Sequence, residues 1–174
     1  MELNMAKILK AIPTTYHGIE FRSKLEAKYA QAFDRLGIAW EYEGHGFRFD
    51  DGTCYCPDFY MPDIDTYFEV KGVVDEASKR KIEMLAMECK RVAVGLPEGY
   101  VGLFVGYPQG SMGNDDGPNF YIDDASPTRC GSCGKVYFRE EEMDWTCPAC
   151  GRTGDDFTTL SDNLFEAVGW ERGY

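Results

Sequence analysis

The sequence of 174 residues has only two histidines, no excess of positive charge and no apolar run of the roughly 20 residues that a membrane-spanning helix needs. Lys and Arg number 18 against 30 Asp and Glu, which gives a formal net charge of -12. Proteins that coat nucleic acid non-specifically are usually basic, so this balance disfavours such a role. It leaves room for an enzyme that contacts a few phosphates and binds a divalent cation.

Residues 1–10 also lack the apolar core of a signal peptide, so we expect a cytoplasmic protein. The chain has seven cysteines, and an odd number without a signal peptide argues against a framework of disulfides. Three of them, at positions 54, 56 and 89, show no pairing pattern. The other four form two C-x2-C pairs separated by thirteen residues: Cys130, Cys133, Cys147 and Cys150.

The two C-x2-C pairs resemble a zinc ribbon. Each pair makes a tight turn that directs two thiolates at one point, and four thiolates close a tetrahedron around one structural Zn2+. Gly134 and Gly151 follow the second cysteine of each pair, where such a turn often needs a positive φ angle. Four reduced thiols and a redox pair are the alternatives. The ribbon is either a structural fastener or a binding module, and its acidic residues 140–142 disfavour direct contact with phosphate.

Hydrophobic periodicity predicts a mixed α/β core, of α+β character, with helices flanking a sheet. Helices are expected over 19–36, over 75–90 and, as a short closing element, within 162–170. Strands are expected at 38–42, 47–49, 55–61, 66–71, 91–96, 100–105 and 119–122, with a loop over 108–118. The predicted domain organisation is a lead-in over 1–18, a core over 19–125, a zinc ribbon over 126–154 and a tail over 155–174.

A second motif combines Pro57-Asp58 with Glu69-Val70-Lys71, ten residues further on. Because side chains alternate along a strand, Glu69 and Lys71 share one face. A hairpin turn near residues 62–65 would place Asp58 beside Glu69, and neighbouring carboxylates repel unless a cation neutralises them. Mg2+ accepts one or two carboxylates together with phosphate oxygens and water. The pattern favours metal-assisted phosphodiester hydrolysis, although a solvated acid–base pair on an edge strand has the same spacing.

This motif resembles that of the PD-(D/E)XK nuclease superfamily, which has the restriction-endonuclease-like fold. Residues 21–27, with the sequence FRSKLEA, are similar to the first helix of compact, phage-type members, which contributes a glutamate to the metal site. The resemblance covers about residues 20–106. It implies that Asp58, Glu69 and Val70 hold Mg2+ or Mn2+, that Lys71 serves the nucleophile and that Glu26 completes the site.

The resemblance implies a Mg2+-dependent DNA endonuclease, with branched or single-stranded DNA among the expected substrates. Arg22 and the basic cluster of Lys79, Arg80 and Lys81 are candidate contacts for phosphates. A single small catalytic domain cuts one strand, so duplex cleavage would need a homodimer or two encounters. The alternative is a catalytically silent adaptor of the same fold, which binds a protein partner through the zinc ribbon and the acidic C-terminal part. The net charge of residues 101–174 favours the adaptor for that part of the chain.

Overall fold

A computed structural model describes residues 11–89, 91–105, 120–140 and 146–170 of the chain. The expected loop over 108–118 lies outside these residues. The described elements, in chain order, are β1 (Thr14–Tyr16), β2 (Ile19–Phe21), α1 (Lys24–Leu36), β3 (Glu41–Tyr42), β4 (Phe47–Arg48), β5 (Cys54–Tyr55), β6 (Phe59–Met61), a 3-10 turn (Pro62–Ile64), β7 (Thr66–Val70), α2 (Glu76–Cys89), β8 (Arg91–Gly95), β9 (Val101–Val105), β10 (Phe120–Cys130), β11 (Val136–Glu140), β12 (Phe157–Thr159) and α3 (Leu164–Ala167).

The architecture is a mixed α+β fold around an eight-stranded sheet. The strand order is β11-β10-β9-β8-β7-β6-β3, and β12 pairs with β10 off this path. Among the described pairs, β7–β8 is parallel and the others are antiparallel. The parallel pair requires a crossover, which α2 provides. Two small hairpins, β1–β2 and β4–β5, lie outside the sheet.

The two long helices cover opposite faces of the sheet. Phe59 and Phe68 pack with Phe33 of α1, with ring centroids 5.3 and 5.0 Å from it. The neighbouring residue Tyr67 belongs instead to the apolar cluster that contains Ile82 of α2. Because strand side chains alternate, Asp58 and Glu69 share the α2 face with Tyr67. The candidate carboxylates are therefore on the side of the sheet where α2 packs.

Helix α1 begins at Lys24, so the expected helix over 19–36 is wrong in its first turn. The side chain of Ser23 accepts a hydrogen bond from the N–H of Glu26 at 3.1 Å and caps the helix there. The preceding residues form β2, which pairs with β1 around a turn at His17 and Gly18. Residues 14–16 of the expected lead-in thus belong to a hairpin.

The cysteine-rich segment is continuous with the central sheet. Strand β10 pairs with β9 through Ala125 and Val101, and then extends to Cys130. The predicted boundary between residues 125 and 126 therefore falls within a strand. The expected closing helix is present as α3, and its Leu164 N–H donates to the carbonyl of Gly99 at 2.8 Å. In the described part of the chain, no helix is long and apolar enough to cross a membrane.

Candidate active site and metal centre

Asp58 and Glu69 lie opposite each other at one end of the β6–β7 pair. Strand pairing aligns Phe59 with Phe68, so the next position in the same register aligns Asp58 with Glu69. Both residues are only 2% exposed. The N–H of Asp58 donates to Glu69 Oε2 at 3.2 Å, and the N–H of Val70 donates to Asp58 Oδ2 at 2.7 Å. The structure thus brings together the two carboxylates that the sequence pattern singled out.

Lys71 follows β7 directly and extends the same face. Its backbone N–H donates to the carbonyl of Gly95 at 2.9 Å, which continues the parallel pairing with β8 by one residue. Its Nζ lies 2.5 Å from Glu69 Oε1. The ammonium group is therefore held beside a buried carboxylate, at the end of a strand that is fixed on both sides.

Arg22 lies between β2 and the cap of α1, and its guanidinium is the second cation of the site after Lys71. Its guanidinium forms an ion pair with Asp58 and another with Glu43, where Nε lies 2.9 Å from Oε1. Its Nε is also 3.9 Å from Glu26 Oε2. Burial lowers the pKa of Arg22, but the nearby carboxylates, Asp58 first among them, raise it above its ordinary value.

Glu26 lies next to Arg22, and its carboxylate accepts hydrogen bonds from two hydroxyl groups. It is 7% exposed, and its Oε1 accepts from Ser23 Oγ at 2.7 Å. Its Oε2 accepts from the Tyr42 hydroxyl at 2.6 Å. Burial, and then this hydrogen bond, raise the pKa of Tyr42 to about 12, so the phenol remains protonated. Glu26 is close to the carboxylate pair, and its support of a metal ion stays a prediction.

Burial and mutual repulsion perturb the acidity of this cluster. Burial raises the pKa of Asp58, and the charge of Glu69 raises it further, to about 7. The Val70 N–H and the Arg22 guanidinium oppose this rise in pKa without cancelling it. Burial, and then the charge of Glu69, also raise the pKa of Tyr55 above its ordinary value. The negative charge at this end of β6–β7 is therefore only partly neutralised by the protein's own cations.

Glu69 of the carboxylate pair lines a cleft of about 320 Å³. Arg22, Glu69 and Lys71 line it, together with residues from β5 and from the start of α2. The hydroxyl of Tyr55 is buried at this wall, close to Glu69. Sequence reasoning did not assign Tyr55 to the site. The only signal was its position three residues before the Asp58 of the motif.

The three residues of the basic cluster at the start of α2 point to different places: one lines the cleft and two form ion pairs on the surface. Lys81 lines the cleft. Lys79 pairs instead with Glu83 at 3.8 Å, and Arg80 pairs with Asp51 at 3.4 Å on the surface. Exposed ion pairs of this kind contribute little to stability, so both side chains remain available to a phosphate. Lys81 is the member of the cluster that the structure brings to the carboxylates.

The four paired cysteines form a compact cluster at the other end of β7. Their sulfur atoms all lie within 4.8 Å of one another, and this arrangement could hold a metal ion such as zinc. Cys130 Sγ is 3.8 Å from Cys150 Sγ, and Cys133 Sγ is 3.7 Å from Cys147 Sγ. A tetrahedron with Zn–S bonds of about 2.3 Å has edges of about 3.8 Å. The observed separations therefore match a four-thiolate site.

The two turns of the cysteine cluster are built alike. The N–H of Gly134 donates to the carbonyl of Cys130 at 2.8 Å, and that of Gly151 donates to the carbonyl of Cys147 at 2.8 Å. The φ angles of the two glycines are 72° and 70°, which confirms the expected positive values. Lys135, next to Gly134, has its Nζ 2.5 Å from Asp63 Oδ2, in the turn before β7. The strand β7 thus separates this cluster from the carboxylates at its other end.

Within the described ranges, the cysteine cluster is the one place where three or more His, Cys, Asp or Glu ligand atoms gather within 4.8 Å. A cation between Asp58 and Glu69 would therefore have two carboxylates as its side-chain ligands in this arrangement. Mg2+ in enzymes commonly uses one or two, with water and substrate oxygens completing the shell.

No protein-family model matches the sequence, and no curated protein matches it either.

Proposed function

We propose that the protein is a metal-dependent nuclease of the PD-(D/E)XK type, with the restriction-endonuclease-like fold, which hydrolyses phosphodiester bonds in DNA. One observation carries this proposal. The buried carboxylates of Asp58 and Glu69 face each other across β6–β7, and Lys71 lies beside them on the wall of an open cleft. A purely structural sheet has no need of two buried carboxylates that repel each other.

The residues present fit a hard divalent cation. Oxygen ligands from Asp58 and Glu69 would hold Mg2+ or Mn2+, with Val70 of the same strand next to them. The pKa of Asp58, which burial and the charge of Glu69 raise to about 7, indicates that the Arg22 guanidinium only partly offsets the negative charge of the site. When bound, the cation supplies a Lewis acid that stabilises charge on the phosphate and lowers the pKa of a water molecule.

The remaining chemistry belongs to side chains of this protein. The ammonium group of Lys71 can donate a hydrogen bond to the attacking water or to a phosphate oxygen, and so stabilise the charge that develops there. Its ion pair with Glu69 keeps it oriented before substrate binds. Lys81 lines the same cleft and can neutralise a neighbouring phosphate.

The charge distribution favours a restricted contact with DNA. The protein has a net charge of -12, and the cations that line the cleft are Arg22, Lys71 and Lys81. Few phosphates are therefore neutralised at once, which suits branched or single-stranded DNA better than a long duplex. One cleft cuts one strand, so cleavage of both strands would require a homodimer or two encounters.

We propose further that the cysteine cluster binds one structural Zn2+. The sulfur separations and the two matching turns support this assignment. Four thiolates leave no coordination position open for chemistry, so this metal has no part in hydrolysis. Its role is to hold the β10–β11 hairpin and the chain that returns through β12.

A cleavage assay with plasmid, branched and single-stranded DNA in Mg2+ or Mn2+ tests the nuclease. Lys71→Ala is expected to lower the rate by roughly 100-fold or more, because it removes a hydrogen-bond donor from the developing charge. Lys135→Ala is the matched control, since this lysine pairs with Asp63 at the opposite end of β7.

Equal cleavage rates of wild type and Lys71→Ala, on every substrate and with both metals, would overturn the nuclease proposal. The adaptor with a silent nuclease fold would then be the better description. In that case a protein partner, and not DNA, should be retained by the zinc-loaded protein.

A further inference from the structure

Arg22 occupies the position where a positive charge is most needed. Its guanidinium contacts Asp58, and its Nε lies 2.9 Å from Glu43 Oε1 and 3.9 Å from Glu26 Oε2. An arginine between carboxylates can satisfy several acceptors at once, because its donors are arranged in a planar fork. In the arrangement described, Asp58 therefore has a cation already.

The cluster still carries excess negative charge. Four carboxylates meet two cations here. The carboxylates are those of Glu26, Glu43, Asp58 and Glu69. The cations that pair with them are Arg22 and Lys71, so two negative charges remain uncompensated when all four carboxylates are ionised. One divalent cation would balance them, but the guanidinium of Arg22 occupies an oxygen of Asp58 that this cation would need.

The backbone of Arg22 is fixed, whereas its side chain is more than half exposed. The N–H of Arg22 donates to Glu26 Oε2 and to the Tyr42 hydroxyl, both at 3.2 Å. Its neighbour Phe21 is fully buried, and Ser23 caps α1. The side chain of Arg22, however, is 57% exposed and lines the cleft. Rotation about its side-chain bonds can therefore carry the guanidinium from Asp58 into the cleft without any change of the fold.

We propose that Arg22 and the divalent cation compete for Asp58. In the metal-free protein, the guanidinium closes the carboxylate site. When the cation binds, Arg22 is displaced into the cleft, where it binds a phosphate of the substrate. This inference rests on the proposed function, because it requires a cation at Asp58 and Glu69. It adds that cation binding and phosphate binding are coupled through one side chain.

Mn2+ affinity, measured by the electron paramagnetic resonance signal of the free ion, tests the competition directly. Arg22→Gln is expected to bind Mn2+ at least about tenfold more tightly than wild type, because a neighbouring arginine changes the affinity of a carboxylate for a single proton by roughly ten- to a thousandfold. Arg35→Gln is the charge-matched control at the other end of α1, where Arg35 donates to the Val168 carbonyl. Asp58→Asn should lose Mn2+ binding, which shows that the measured ion binds at the carboxylate site.

The same variant should bind metal better and cleave DNA less well. At saturating Mn2+, Arg22→Gln is expected to show a raised KM for DNA, since a phosphate contact is lost. An independent measurement uses the wild type alone. On titration with Mg2+, the Nε–Hε signal of Arg22 in nuclear magnetic resonance should move toward that of a solvated arginine.

The outcomes separate this inference from the nuclease itself. If wild type and Arg22→Gln bind Mn2+ equally and Asp58→Asn does not bind it, the competition is wrong and the metal site stands. If no protein shows Mn2+ binding that depends on Asp58, both proposals fail. An unchanged Arg22 signal at saturating Mg2+, or an unchanged KM in Arg22→Gln, would overturn the displacement into the cleft.

Discussion

The backbone N–H of Asp58 donates to Glu69 Oε2 at 3.2 Å, so the two carboxylate residues are tied across the β6–β7 pair as well as being repelled by charge. The hydrogen bond fixes their spacing, and burial makes their repulsion costly. The carboxyl of Asp58 responds with a pKa of about 7, raised chiefly by burial and then by Glu69. A site in this state gains stability from a proton or from a cation.

The pKa of Asp58 predicts a pH-dependent stability in buffer without Mg2+ or Mn2+. An unfolded aspartate loses its proton near a pH of about 3.9. Between about pH 4 and pH 7 the folded protein therefore binds more protons at Asp58 than the unfolded chain does. The free energy of unfolding must then decrease as pH rises through this range, by at most roughly 1.4 kcal/mol for each pH unit, and level off above it. Asp58→Asn lacks this titration, and urea denaturation of both proteins measures the difference.

Added Mg2+ provides the control for this pH dependence. A cation stabilises the charged form of Asp58, so Mg2+ should raise the stability of wild type more at about pH 8 than at about pH 5. It should not stabilise Asp58→Asn to the same extent. A stability difference between the two proteins that is constant from about pH 4 to pH 8 without Mg2+ or Mn2+ would contradict the assignment.

The strand pair of the site was predictable because its signals are local. Alternating side chains on 66–71 and a turn near residues 62–65 are sufficient to align Asp58 with Glu69, and the structure has this register. The ion pairs of Arg22 were not predictable in the same way. They join residues 36 and 21 positions apart in the chain, and an exposed arginine has many conformers of similar energy.

The start of α1 could have been predicted correctly. Ser23 and Glu26 have the spacing of a capping box, which marks a helix start at Lys24, five residues after Ile19. The apolar residues at 19 and 21 fit a strand as well as a helix, and the cap decides between them. No local signal indicated that β10 joins the cysteine segment to the sheet. That pairing depends on β9, which is separated from β10 along the chain by residues 106–119.

Loss of the metal at the cysteine cluster should weaken the central sheet and not only a peripheral module. Cys130 ends β10, which pairs with β9, β11 and β12. Metal analysis of protein purified without added zinc should give about one Zn2+ per chain, as a four-thiolate site implies. In Cys147→Ser we expect loss of this zinc and a decrease of several kcal/mol in the free energy of unfolding, since structural zinc contributes roughly 10 kcal/mol or more in isolated fingers.

Cys54→Ser is the control for the zinc prediction, because Cys54 is an exposed thiol outside the cluster. It should keep the zinc content and the stability of wild type. Two unfolding transitions in Cys147→Ser, of which the larger matches wild type, would show that the cysteine segment folds independently of the sheet. A wild-type protein that contains no zinc and is nevertheless fully stable would refute the proposal of a structural Zn2+ at the cysteine cluster.

Gly95 couples the packing of the core to the position of Lys71. Its carbonyl accepts the N–H of Lys71 at 2.9 Å, and it ends β8 directly over the aromatic core. A Cβ at this position would lie 2.6 Å from Phe68 Cε1 and would also meet the ring of Tyr29. Both rings are fully buried, so neither can move aside without disturbing its neighbours. Gly95→Ala is expected to destabilise the protein by about 1–3 kcal/mol through overpacking.

Gly46→Ala is the matched control, because a Cβ at Gly46 would meet nothing within 4 Å. It should leave the free energy of unfolding in urea within about 0.5 kcal/mol of wild type, as surface substitutions usually do. Gly95→Ala should also lower the cleavage rate under conditions where it remains folded, since a shift of Gly95 moves the backbone of Lys71. If Gly95→Ala is as stable and as active as Gly46→Ala, then Gly95 does not position Lys71, and its closeness to Tyr29 and Phe68 has no consequence for the site.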